Sequence, residues 1–309
     1  MGQLVIGTPA GGRDSAAAIA DGVAKEAHGY SAIWFTGGSG LDPVGLSIAT
    51  APRLSRARLG TGIATMWAMP PVEMALLGQI AAQLSGGRFR LGIGVASVPT
   101  AENRFGARYA KPLTHLREYV TIIKALTETG EVDFTGEAYR AQTKIAVTTP
   151  MPVMIAALGP TAFELAGEVA DGAISWIAPA AYIRDVARPA IERGAKQAGR
   201  PVPPIVAHAP VAVSEDRDAI RDAIRKQFAF YVRAPHYQAM FVAAGFPEAR
   251  DAAWSDAMVD GLVISGTEGE VERRLTDLAN WAGGEVLVSP LAGIEPERTA
   301  SLLARLSMP

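Results

Sequence analysis

The chain has 309 residues, 49% hydrophobic and 19% charged, with a formal net charge of −2 and no cysteine. That balance predicts a large buried core rather than disorder, offers no basic run to nucleic acid or an anionic membrane, and excludes disulfides, thiolate metal sites and a thiol nucleophile. No window approaches the roughly 18 uninterrupted apolar residues of a membrane span. The opening MGQLVIGTPAGGRD has neither the basic region nor the long apolar stretch of a secretory signal, so a soluble cytoplasmic protein is expected.

Short β-branched runs alternate with longer alanine-rich amphipathic stretches. In chain order, strands are predicted at 4–7 (LVIG), 32–35 (AIWF), 57–64 (ARLGTGIA), 89–94 (FRLGIG), 153–157 (VMIAA), 173–177 (AISWI), 205–213 (IVAHAPVAV) and 285–290 (EVLVSP). Helices are predicted at about 14–28, 42–51, 71–84, 110–128, 160–169, 180–198, 215–232, 267–281 and 295–306. Thr267 with Glu270 three residues on reads as a capping box at the start of its helix. Eight strands, each followed by a helix, predict a (β/α)8 TIM barrel, and near-continuous apolar strands suit a parallel sheet covered on both faces. An open doubly wound sheet is the competing architecture. No linker or low-complexity segment interrupts the chain, so 1–309 is expected to form one barrel domain. Two regions exceed a minimal barrel: 129–150, read as a hairpin, and 234–262, read as extra helices. Insertions of this kind commonly line or cover a barrel's active-site mouth.

The corner after the fifth strand, ALGPTAF, turns from strand to helix at Gly159-Pro160. Proline is tolerated at a first helical position, where its missing N–H would be unpaired; glycine before it lets backbone approach a ligand. Free amides at Thr161 and Ala162, with the positive end of the helix dipole, would suit a phosphate. A plain tight turn is the alternative. The four histidines, at 28, 115, 208 and 236, lack metal-ligand spacing such as HExxH, so no metal site is expected. There is no GxSxG nucleophile elbow, and GIGVAS lacks the third glycine of a dinucleotide fingerprint.

PVMIAALGPTAFELAGEVADGAISW (152–176) resembles the corresponding region of the luciferase-like (bacterial luciferase) superfamily, closest to members that use coenzyme F420, a deazaflavin. The likeness continues in LGTGIAT (59–65), LSGGRFRLGIGVAS (84–97), REYVTIIKAL (117–126) and LVISGTEGEVERRLTDL (262–278). The resemblance implies a bacterial-luciferase-like barrel with the deazaflavin over the C-terminal ends of its strands. Leu158, Gly159, Thr161 and Ala162 would receive the phosphate of its tail. The third strand would carry a bulge with a non-proline cis peptide at Gly62-Ile63, and Thr65 would contact the ring. Val95 and Ala96 would touch the ring through backbone groups, with Gly92 and Gly94 keeping that wall thin.

The chain also departs from its relatives. F420-dependent sugar-phosphate and alcohol dehydrogenases carry an aspartate and a histidine after the second strand, where this chain has Gly37 and Gly38, and a glutamate after the fourth, where it has Ser97. Losing both acid/base groups argues against simple alcohol oxidation, which needs a base for the hydroxyl proton. Trp176 and Pro179 stand where sugar-phosphate users place a threonine and a lysine. With Met66, Trp67 and Met69 they imply a pocket for an apolar or aromatic substrate, or simply packing against the 234–262 insertion. Ser97, Thr36 and His208 are the candidate catalytic side chains; His236, Tyr231, Tyr237, Glu102 and Asn103 are secondary candidates.

The expected function is hydride transfer between F420 and an organic substrate, with reduction of an activated C=C or C=O bond favoured. An FMNH2-dependent monooxygenase, served by a separate flavin reductase, is one alternative; a non-catalytic cofactor- or ligand-binding barrel is another. A homodimer is expected from the resemblance.

Overall fold

The structure, a computed structural model, describes residues 4–37 and 40–307; Gly38 lies outside them. Its strands are β1 (Val5–Ala10), β2 (Ala32–Phe35), β3 (Arg58–Thr61), β4 (Ala64–Thr65), β5 (Phe89–Gly94), β6 (Glu131–Thr135), β7 (Arg140–Lys144), β8 (Val153–Ala156), β9 (Gly172–Ser175), β10 (Ile205–Ala212), β11 (Ile264–Ser265) and β12 (Glu285–Pro290). Parallel pairing runs β1-β2-β3-β5-β8-β9-β10-β12 and returns from β12 to β1, closing an eight-stranded barrel. β4 continues the third staff beside β5, and β6 and β7 pair with each other as an antiparallel hairpin inside the 129–150 insertion.

Local chemistry sets the element ends. The helices Pro43–Thr50, Pro71–Leu84, Pro112–Thr129, Pro160–Val169 and Pro235–Ala243 all begin on proline, whose fixed φ and absent N–H fit a first turn. The Thr267–Glu270 capping box forms as expected. Two predicted helices differ. The one expected over 180–198 widens into a π turn at Ile183–Ala187, just ahead of Pro189, which has no N–H to return to the preceding turn. The one expected over 215–232 ends at Gln227. There Phe228 is already non-helical, and its carbonyl accepts the Trp254 indole N–H at 3.1 Å instead of continuing the ladder.

The barrel interior is plugged near the N-terminal ends of the strands. Trp34 lies so close under Gly60 that a Cβ there would meet its ring at 2.6 Å. The indole N–H donates to Glu285 at 2.8 Å, and Arg90 stacks 4.5 Å above the ring while pairing with the same carboxylate at 2.5 and 3.0 Å. A buried ion pair is tolerated only with good geometry; here both terminal guanidinium nitrogens reach the carboxylate, and only the Arg90 Nε is left without a partner. The opposite end of the barrel is left open.

The predicted third strand, 57–64, is broken between β3 and β4. Thr61 Oγ1 donates to the Gly92 carbonyl at 2.8 Å and accepts the Gly92 N–H at 2.9 Å, taking over the ladder at that step. The Gly62-Ile63 peptide that follows is cis.

Candidate active site

A cavity of about 600 Å³ lies over the C-terminal ends of the strands, where barrel sites form. Thr36, Gly37, Gly62, Ile63 and Thr65 contribute to it from β2 and the broken third staff. Val95, Ala96 and Ser97 follow β5, Leu158, Gly159 and Ala162 follow β8, and Trp176 follows β9. All of these residues were singled out from the sequence.

Four expected residues stand elsewhere. Trp67 turns its indole N–H to the Val95 carbonyl at 2.7 Å and packs on Tyr109 and His115, so it braces the corner after β5 from behind. The Met69 carbonyl accepts the Tyr119 hydroxyl at 2.9 Å, behind the wall. Thr161 does not line the cavity. The amide of Ala162, expected to be free for a phosphate, is bonded to the Gly159 carbonyl at 3.0 Å, because the tight turn into Pro160 brings them together.

His208 is the fourth. It is 1% exposed on β10 and stacks under Trp176, with ring centroids 3.6 Å apart and planes 23° from parallel. The Ile177 amide donates to Nδ1 at 3.3 Å, so Nδ1 is the bare nitrogen, and Nε2–H donates to Ser289 Oγ at 2.8 Å. Burial pushes its pKa down to about 3, which keeps the ring neutral. It supports the wall from beneath and is no proton donor to the cavity. Ile177 itself has φ of 55°, rare for a β-branched residue; the bond to His208 holds that turn, and the turn presents Trp176 to the cavity.

Several of the other polar side chains are already engaged or peripheral. Ser97 and Thr100 share a hydroxyl–hydroxyl bond at 2.9 Å, and Thr65 Oγ1 accepts the Trp67 amide at 3.4 Å. Asp42 caps its helix through Gly45 N–H at 2.6 Å. Arg104 covers the Phe105 ring and reaches the Gly37 carbonyl at 3.4 Å; Asn103 joins it in a shallow groove outside. Glu102 is exposed on the same π-helical turn, Thr100–Arg104.

The 234–262 insertion and the segment leading into it contribute more than a secondary role. Tyr231, His236 and Tyr237 all line the cavity, with Phe230. Burial lowers the His236 pKa and raises that of Tyr237 well above 10.0. Burial also raises that of Tyr231, with the neighbouring Trp176 N–H acting the other way. Tyr109, Phe105 and Arg104 were not singled out from the sequence; the aromatic run FAFYVRAPHY was the available signal for the insertion's share. Among the described residues no cluster of His, Cys, Asp and Glu could hold a metal ion, and no helix is long and apolar enough to cross a membrane.

The 5,10-methylenetetrahydromethanopterin reductase of Archaeoglobus fulgidus is 30% identical over 277 residues, covering 82% of each chain. The F420-dependent glucose-6-phosphate dehydrogenase of Nocardia farcinica is 30% identical over 179 residues, 55% of this chain and 53% of its own. Among solved structures, the coenzyme F420 dependent tetrahydromethanopterin reductase of Methanopyrus kandleri superposes with a TM-score of 0.77 at 22% identity, over 98% of both chains. The profile of the family described as luciferase-like monooxygenase matches residues 6–284, nearly the whole barrel, and the chain belongs to that family.

Proposed function

We propose that the protein is an F420-dependent oxidoreductase that reduces an apolar or aromatic organic substrate. The observation that carries this reading is the cavity itself: a largely apolar chamber over the broken third staff, in a chain related to F420-dependent enzymes. A flat tricyclic ring fits its inner wall, which is built from small residues: Gly62, Ala64, Ala96, Ala156, Ala157 and Ala162. Gly94 beneath Ile63 is needed for that wall, since a Cβ there would meet the Ile63 side chain at 2.9 Å.

In this reading Ile63 and Thr65 hold the ring from the third staff, with Val95 and Ala96 beside it. Gly159 leaves open space at the head of the helix Pro160–Val169, where a Cβ would meet nothing within 4 Å, and the positive end of the helix dipole there favours the phosphate of the tail. F420 would supply a hydride at C5. The protein's own contribution is placement and exclusion of water, by aromatic walls from Tyr109 and the insertion. Thr36 and Ser97 are the polar side chains offered to the reacting centre. Among the described lining residues the one carboxylate, Asp42, is spent on capping its helix.

Titration of the apoprotein with oxidised F420, followed by quenching of its fluorescence, is expected to saturate, with FMN binding about tenfold or more weaker. Binding of FMN alone, with oxygen consumption driven by FMNH2, would transfer the assignment to the monooxygenase reading. Binding of neither would remove both.

We further propose that two copies pair through the helix Pro71–Leu84. Leu76, Ile80 and Leu84 are 38, 42 and 47% exposed and recur at i, i+4 and i+8, which makes one apolar stripe. Sedimentation at micromolar concentration is expected to show a dimer, and Ile80→Glu a monomer; a monomeric wild type would overturn the pairing.

A further inference from the structure

The cavity wall is largely apolar, and beside the turn after β9 two of its polar groups are hydrogen-bond donors. The Trp176 indole N–H is buried and has no hydrogen-bond partner among the described residues. The Tyr231 hydroxyl flanks it: the N–H acts to lower the Tyr231 pKa, yet no hydrogen bond of ordinary geometry joins the two. The two come from different elements, the turn after β9 and the short 3-10 turn Tyr231–Arg233, and both line the cavity.

We propose that Trp176 Nε1–H and the Tyr231 hydroxyl form a paired donor site that receives the carbonyl oxygen of a flat, largely apolar ketone or enone. This rests on reading the cavity as the redox site, and it names the substrate class of that site. A buried N–H left without an acceptor is costly, so an oxygen supplied by a ligand accounts for its position. A carbonyl oxygen has two lone pairs for two donors.

Both donors are held from behind. His208 stacks beneath Trp176 at 3.6 Å and is itself fixed by Ile177 N–H and Ser289. Tyr237 meets Tyr231 edge-on, with centroids 4.9 Å apart and planes at 74°. Burial keeps the phenol protonated, so it donates. The acceptor is neutral rather than a carboxylate or phosphate, because the one arginine or lysine among the described lining residues, Arg104, lies over Phe105 at the rim. In a reduction, a hydride from reduced F420 reaching carbon would push the π electrons onto that oxygen, where the charge meets two oriented donors, and a proton from water would complete the product.

The probe is benzylideneacetone labelled with carbon-13 at its carbonyl, bound to protein loaded with oxidised F420, so that no hydride is available. Its oxygen-free counterpart is 1-phenyl-1-butene. Isotope-edited infrared spectra are expected to show the wild-type carbonyl stretch lowered relative to apolar solvent. In W176F and Y231F it should move part of the way back, and the probe should bind about three- to tenfold more weakly in each. The oxygen-free compound should bind all three proteins alike. Unchanged frequency and affinity in both variants would overturn the pair, as would equal weakening of the oxygen-free compound, which would mean packing alone. A shift in Y231F only would reduce the site to a single donor and overturn the pairing. The same measurement without F420 tests the donors independently, so a failure of F420 to bind would count against the cofactor reading and leave this result standing.

Discussion

Gly92→Ala is expected to cost about 3 kcal/mol or more, enough to leave most of the protein insoluble or unfolded at 37 °C. A Cβ on Gly92 would stand 2.0 Å from the Thr61 carbonyl oxygen and 2.5 Å from Ile174 Cδ1. The first is backbone and cannot rotate away. Moving it would separate β3 from β5 at the step where the Thr61 hydroxyl holds both the N–H and the carbonyl of Gly92, and the third staff would lose its register just before it breaks to form the cavity wall. Gly159→Ala is the matched control. Nothing lies within 4 Å of its Cβ position, and its φ of −84° suits any residue, so stability should stay within about 0.5 kcal/mol. Guanidinium unfolding of both variants checks the contrast; a Gly92→Ala protein with a wild-type midpoint would refute the close approach.

That contrast also marks what the sequence made legible. Alternation of apolar runs and amphipathic stretches located every barrel strand, because burial on both faces leaves a continuous apolar signature. The break in the third staff has no such signature: ARLGTGIA reads as one buried strand, and the hydroxyl bonding of Thr61 to Gly92 depends on a neighbour 31 residues away. Only the family resemblance pointed to Gly62-Ile63. Trp67 and Trp176 both follow strand ends and look equivalent as letters. Their directions differ because one indole finds the Val95 carbonyl while the other rests on an imidazole from β10. The region 234–262 was legible as an insertion near the mouth, while the aromatic stretch 228–232 ahead of it read as the end of a helix. Which of their side chains enter the cavity depends on where the preceding helix stops, and that is set by Trp254 bonding the Phe228 carbonyl, a contact that no local pattern encodes.

The second large effect concerns acid. Between pH 7 and pH 5 the wild-type protein is expected to lose about 2 kcal/mol of stability through His208 alone. The folded-state pKa is lowered from 6.5 to about 3 by burial, so in this range the unfolded chain binds a proton that the folded one refuses. Stability from this group is therefore complete above pH 6.5 and declines as pH falls toward 3. His236, also lowered by burial, acts in the same direction. The carboxylates lowered by hydrogen bonding, such as Glu26 and Glu118, start from 4.5 and contribute below this window. His208→Asn, which retains an acceptor for the Ile177 amide, should flatten the pH 7 to 5 decline by about 2 kcal/mol in denaturant midpoints; an unchanged slope would show that the imidazole is not held neutral. The loss should also be local. A proton on Nδ1 turns the acceptor for Ile177 N–H into a second donor pointing at it, so the turn that presents Trp176 is the first part of the cavity wall to fail, and tryptophan emission should change ahead of global unfolding.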